Sequence, residues 1–76
     1  MTAAKTLDAK GLSCPLPVLK ARRAMQDLKP GEILEVLATD PAAPKDFVNF
    51  CEVGGHEMMA SSETAGVYTM RIRKAG

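Results

Sequence analysis

The stretch Val67-Tyr68-Thr69-Met70-Arg71-Ile72-Arg73 decides the fold. Tyr68, Met70 and Ile72 alternate with Val67, Thr69, Arg71 and Arg73. A period of two sends successive side chains to opposite faces of a strand, so this one has an apolar face and a polar face. It therefore belongs to a sheet covered on one side only. Upstream, Ile33 to Ala38 is apolar on both faces apart from Glu35, as a central strand requires. Lys5 to Ala9 makes a short first strand ended by Gly11, and His56 to Ser61 a third, joined to the last through a hairpin loop at Ala65-Gly66.

Two helices lie between the strands. From Pro15 to Leu28, Val18, Ala21, Met25 and Leu28 follow the three-and-four spacing of one buried stripe, and Pro30-Gly31 stops the helix. The second runs from Pro44 to about Val53 with Phe47, Phe50 and Cys51 on one face, and ends at Gly54-Gly55. The order β-α-β-α-β-β, with right-handed crossovers, places both helices on the covered face. The expected fold is an α/β (α+β) two-layer sandwich: a four-stranded mixed sheet with two helices on one face.

Seventy-six residues suffice for one domain, 1–76, with no second. Two Phe, one Tyr and no Trp leave an aliphatic core, in which the five Met serve as filler. Met1 to Lys10 has no apolar central region and no span is long enough for a bilayer, so a cytoplasmic protein without a secretory signal is expected. The net charge of +1 argues against strong non-specific nucleic-acid binding. The charge is nevertheless segregated: Met1 to Lys29 carries +4, Pro30 to Gly66 carries −6 and the last ten residues carry +3. The first segment gives a basic face suited to an acidic partner.

Chemistry concentrates at Cys14-Pro15-Leu16-Pro17, the head of the first helix. Prolines at the first and third helical positions are tolerated because their missing amide protons would be unpaired there. They define a sharp helix start with Cys14 as its cap. In that place the helix dipole, with Lys10, Lys20 or Arg23 nearby, is expected to favour the thiolate, the form that attacks sulfur. Gly11 and Ser13 keep the preceding loop small and the thiol accessible. A buried structural cysteine is the competing reading, and a loop position argues against it.

Leu7-Asp8-Ala9-Lys10-Gly11-Leu12-Ser13-Cys14-Pro15-Leu16-Pro17-Val18-Leu19-Lys20 resembles the signature of the TusA family of sulfur carriers, also called SirA-like proteins. The likeness continues through Pro30-Gly31-Glu32, Thr39-Asp40-Pro41, Asp46-Phe47 and Gly55-His56-Glu57 to Ile72-Arg73-Lys74. The resemblance implies the same β-α-β-α-β-β sandwich, with Cys14 carrying sulfane sulfur as a covalent persulfide and needing no separate cofactor. Pro15, Pro17 and Gly11 support that cysteine, and Lys10, Lys20, Arg22 and Arg23 are the charges expected to dock partners. By the same resemblance the donor is a cysteine desulfurase or rhodanese-like protein, and the acceptor a sulfur relay complex of the TusBCD or DsrEFH type. Those relays serve tRNA 2-thiouridine synthesis or dissimilatory sulfur oxidation. No membrane contact, no direct contact with nucleic acid and a monomeric state are expected.

The remaining reactive residues have plainer readings. Cys51 falls in the stripe of Phe47 and Phe50 and reads as a core thiol. His56 shares strand phase with Met58 and Ala60 and reads as packed or hydrogen-bonded; a Cys14–His56 pair lacks an orienting third group. Two Cys and one His supply at most three of the four ligands of a structural zinc site, so no metal is expected. Two other functions compete with the carrier. A regulatory or RNA-binding module lacks aromatic residues to stack bases, and an independent thiol oxidoreductase lacks a resolving cysteine near Cys14.

Overall fold

The structure, a computed structural model, describes residues 3–75; Met1, Thr2 and Gly76, included in the expected domain 1–76, lie outside the described residues. The elements follow the expected order: β1 (Lys5–Ala9), α1 (Leu16–Met25), β2 (Ile33–Ala38), α2 (Ala43–Gly54), β3 (Glu57–Thr64) and β4 (Val67–Arg73). The strands lie in the spatial order β1-β2-β4-β3. β1 and β2 are parallel, and β4 is antiparallel to both β2 and β3. The smallest dimension, 17 Å, has room for one helical layer on one sheet and no third layer.

The alternation read in β4 is the alternation seen. Met70 and Ile72 are fully buried and join Leu34, Val36 and Ala38 of β2 on the helix-covered face. α1 adds Ala21, Ala24 and Met25 to this core, and α2 adds Phe47, Phe50 and Cys51. Phe47 and Phe50 meet edge-to-face at 5.9 Å, a favoured aromatic geometry. On the open face Glu35, the polar residue of the central strand, lies opposite Arg71 in register and pairs with it at 2.9 Å.

Three elements have bounds that differ from those read in the sequence. α1 ends at Met25 rather than Leu28, because the amides of Gln26, Asp27 and Leu28 bond carbonyls three residues back, at 3.1–3.2 Å. This tightened turn still keeps Leu28 in the core. β3 extends from Glu57 to Thr64 rather than from His56 to Ser61, with an irregularity between Met58 and Ala60. The two-residue hairpin pairs Thr64 with Val67, so the ladder starts at the turn itself. Ala65 and Gly66 both have positive φ, 51° and 81°, as a type I′ turn demands. α2 begins at Ala43, which puts Pro44 in its second position rather than its first.

Candidate functional site

The parallel pair β1 and β2 ends on one edge of the sheet, and each strand feeds a loop that leads into a helix. Crevices outside the carboxyl ends of parallel strands are the usual ligand sites of α/β sheets. Here the loops Gly11–Cys14 and Thr39–Ala42 enclose an open basin of about 500 Å³. Cys14 lies in it, exposed. Side chains of the second loop hold the backbone of the first. Thr39 Oγ1 accepts the Gly11 amide at 2.9 Å, and Asp40 Oδ2 accepts the Cys14 amide at 2.5 Å. Asp40 Oδ1 takes the amide of Ala42, two residues on, at 3.0 Å, the usual turn bond of an aspartate. Gly11 has φ 82° with open space where a Cβ would be. Its requirement is therefore conformational rather than one of room.

The electrostatics reverse the expectation of an acidified thiol. The helix cap is Pro15, with Pro17 at the second helical position, so Cys14 stands one residue outside the cap. Of the four amide positions that open α1, Pro15 and Pro17 carry no N–H, and the Leu16 amide is taken by the Ser13 carbonyl at 2.9 Å. Little of the helix's positive end is left for the sulfur. Two carboxylates act on it instead. A hydrogen bond from the thiol to Asp46, with some burial and the charges of Asp46 and Asp40, holds the Cys14 pKa above the ordinary thiol value. None of Lys10, Lys20 or Arg23 is among the charges that act on it. Asp40 moves the other way: the amides of Ala42 and Cys14 stabilise its anion and lower its pKa.

With this geometry in view, comparison with known proteins decides the lineage. The family model described as "Sulfurtransferase TusA" matches residues 5–74. The chain belongs to the TusA family. Among curated TusA proteins, the "Sulfur carrier protein TusA" of Allochromatium vinosum is 44% identical over 69 residues, covering 91% of each chain. That of Pseudomonas aeruginosa is 47% identical over 68 residues, 90% of this chain and 86% of the relative. The crystal structure of a SirA-like protein from Desulfitobacterium hafniense superposes with a TM-score of 0.83 at 27% identity, over 95% of this chain and 99% of that one. The TusA resemblance read from the Cys-Pro-Leu-Pro motif and the sandwich expected with it both hold.

The other residues singled out in the sequence have definite places on the TusA scaffold. Pro17 is fully buried, so it packs as well as shaping the turn, and Pro15 is exposed beside a cis Cys14–Pro15 peptide bond. Lys10, Lys20, Arg22 and Arg23 are all exposed. Only Arg22 among them lines the groove of about 400 Å³ between α1 and α2, which Val18, Phe50 and Asp46 also line. Cys51 is buried in the core, and burial pushes its thiol pKa up. His56 tilts against Phe50 at 5.3 Å, and its Nδ1 accepts the Ala75 amide at 3.0 Å. It follows the end of α2 and lines the groove between α1 and α2, whereas Cys14 lines the separate basin between the β1–α1 and β2–α2 loops. The two therefore form no nucleophile–base pair. No group of three or more metal-ligating side chains occurs among the described residues. Asp40 and Asp46 are the site residues the sequence reading passed over. Both lay in stretches quoted for the family resemblance, and an aspartate in a turn before a helix, or in its first turn, is itself a signal.

Proposed function

We propose that the chain is a sulfur carrier whose Cys14 accepts sulfane sulfur from a donor protein as a persulfide and passes it to an acceptor protein. The observation that supports this reading best is the contrast between the two thiols: Cys14 is exposed in the basin and Cys51 is buried. In loading, Cys14 sulfur attacks the outer sulfur of a donor persulfide, a new S–S bond forms at Cys14, and the donor keeps its inner sulfur as a thiol. Unloading repeats the exchange with an acceptor cysteine. Each step conserves electrons, so neither an oxidant nor a cofactor enters. The exposed free thiol suits a reducing, cytoplasmic compartment, and the cations Lys10, Lys20, Arg22 and Arg23 are the candidates for docking partners.

Intact-mass measurement after incubation with a small sulfane-sulfur donor tests the reading. The expected result is a gain of one sulfur, removed by reductant, located on Cys14 by peptide mapping and absent from Cys14→Ser. Sulfur found on Cys51 of the folded protein, or no gain at all, rejects it.

A further inference from the structure

We propose that Asp40 is a positioning residue for sulfur transfer: by holding the Cys14 amide it fixes where the sulfur stands in the basin, and so sets how fast a docked protein donor loads it. The proposal deepens the carrier reading above and rests on it. The pairing of β1 with β2 ends at Ala9 and Ala38. Beyond that point the next two residues after β2 continue the connection with their side chains. Thr39 Oγ1 accepts the Gly11 amide at 2.9 Å, and Asp40 Oδ2 accepts the Cys14 amide at 2.5 Å. The other amide bonds of this stretch stay at its own strand end, with Lys10 donating to Asp8 Oδ1 and Leu12 to the Ala9 carbonyl. Among the described residues, the hydrogen bonds that tie loop 10–14 to another element thus come from Thr39 and Asp40.

Asp40 is itself held. Its Oδ1 accepts the Ala42 amide at 3.0 Å, so the carboxylate cannot swing away from Cys14 without giving up a second bond. Because the acceptor is an anion, both bonds are of the stronger, charge-assisted kind. On the other side of Cys14 the Pro15 ring fixes its own φ, so the cysteine is constrained from both directions. Cys14, Thr39, Asp40 and Ala42 line one basin. Loading needs the incoming sulfur aligned with the donor S–S bond that breaks. One S–S bond forms as the other breaks, and the proton that Cys14 loses is regained by the donor thiolate through water. A small donor turns to suit the sulfur it meets. A persulfide on a docked protein does not, so there the alignment falls to the carrier's own loop.

Single-turnover loading, read by intact mass, tests this with two donors: persulfidated rhodanese as the protein and glutathione persulfide as the small molecule. Asp40→Ala removes both bonds, whereas Asp40→Asn keeps one carbonyl oxygen and so one acceptor. Asp40→Ala is expected to lower the saturating rate with rhodanese about tenfold or more, and to leave the half-saturating concentration and the glutathione persulfide rate within about twofold of the parent. Asp40→Asn should fall between the two. Ile72→Val, a modest truncation of the core away from the basin, should leave both rates in place. An unchanged saturating rate in Asp40→Ala, an equal fall with both donors, a change in half-saturation alone, or an equal fall in Ile72→Val overturns the proposal. Circular dichroism shows whether each variant is folded, and if Asp40→Ala is not, Asp40→Asn is read alone by the same criteria. The parent reports separately on the carrier reading. Loading by neither donor rejects that reading, loading by glutathione persulfide alone rejects the positioning claim and leaves the carrier standing, and loading of parent and Asp40→Ala at one rate by rhodanese does the same.

Discussion

Both carboxylate oxygens of Asp40 are occupied by backbone amides, one from its own loop and one from Cys14, 26 residues away in sequence. The bonds from the Ala42 and Cys14 amides give Asp40 a consequence for stability with a definite sign. Its folded pKa lies below the ordinary value, so its contribution is present above the unfolded carboxylate pKa of about 3.9 and is lost as pH falls through the lower folded value. Asp40→Asn should therefore have a lower urea midpoint than the wild type at pH 7, with the gap closing toward pH 2. A gap of the same size at both pH values would show that lost shape, not lost charge, is responsible. Cys14 combines an exposed sulfur with a pKa raised by Asp46 and Asp40. Its sulfur is accessible but not acidified, so accessibility and thiolate character have come apart at this residue.

Among the elements, the β3–β4 hairpin holds an avoidable cost. Ala65 takes φ 51° in the first central position of the turn, where an L-residue with a Cβ is disfavoured, and Asn-Gly is the pair that type I′ turns prefer. Ala65→Asn should raise stability by about 0.5–1 kcal/mol in thermal or urea unfolding; a loss would mean that the two positive φ values are not populated in solution. The second helix gives the opposite case. Phe47 is fully buried, and Phe47→Ala should cost about 3–5 kcal/mol. At about 0.05–0.15 kcal/mol per residue, that is from about a quarter to all of the stability of a 76-residue domain. The same elements show what a sequence can disclose. The buried stripes of both helices and the alternation of β4 are legible because burial imposes a period on residue type. The end of β3 was not, because Ser61-Ser62-Glu63-Thr64 is exposed on both faces and its strand is set by the hairpin register. Cys14 was legible from Pro15 and Pro17, but the state of its thiol was not. That state is set by Asp40 and Asp46, which lie 26 and 32 positions away and come near only when β1 and β2 pair and α2 packs.

Over the whole molecule, the segregated charge takes on a geometric meaning. The acidic middle segment supplies both carboxylates at the sulfur, while the basic first segment supplies the exposed cations of α1. A docking partner thus meets negative charge at the thiol and positive charge along the adjoining helix. Such charges act mainly on the rate of encounter and are screened beyond about 8 Å at physiological ionic strength. Sulfur transfer from a protein donor should slow as salt rises, whereas loading of Cys14 from a small neutral donor should not. Arg22 discriminates further, because it alone of the four candidate cations stands in the groove that Asp46 shares. Arg22→Glu should slow protein-to-protein transfer by up to about tenfold and change loading by the small donor little. Charge reversal at Lys20, outside that groove, should have the smaller effect on transfer. If Arg22→Glu slowed both reactions alike, the arginine would be acting on the Cys14–Asp46 pair rather than on a partner. If Lys20 proved the more sensitive position, the partner would be engaging the outer face of α1, and the groove would have no part in docking.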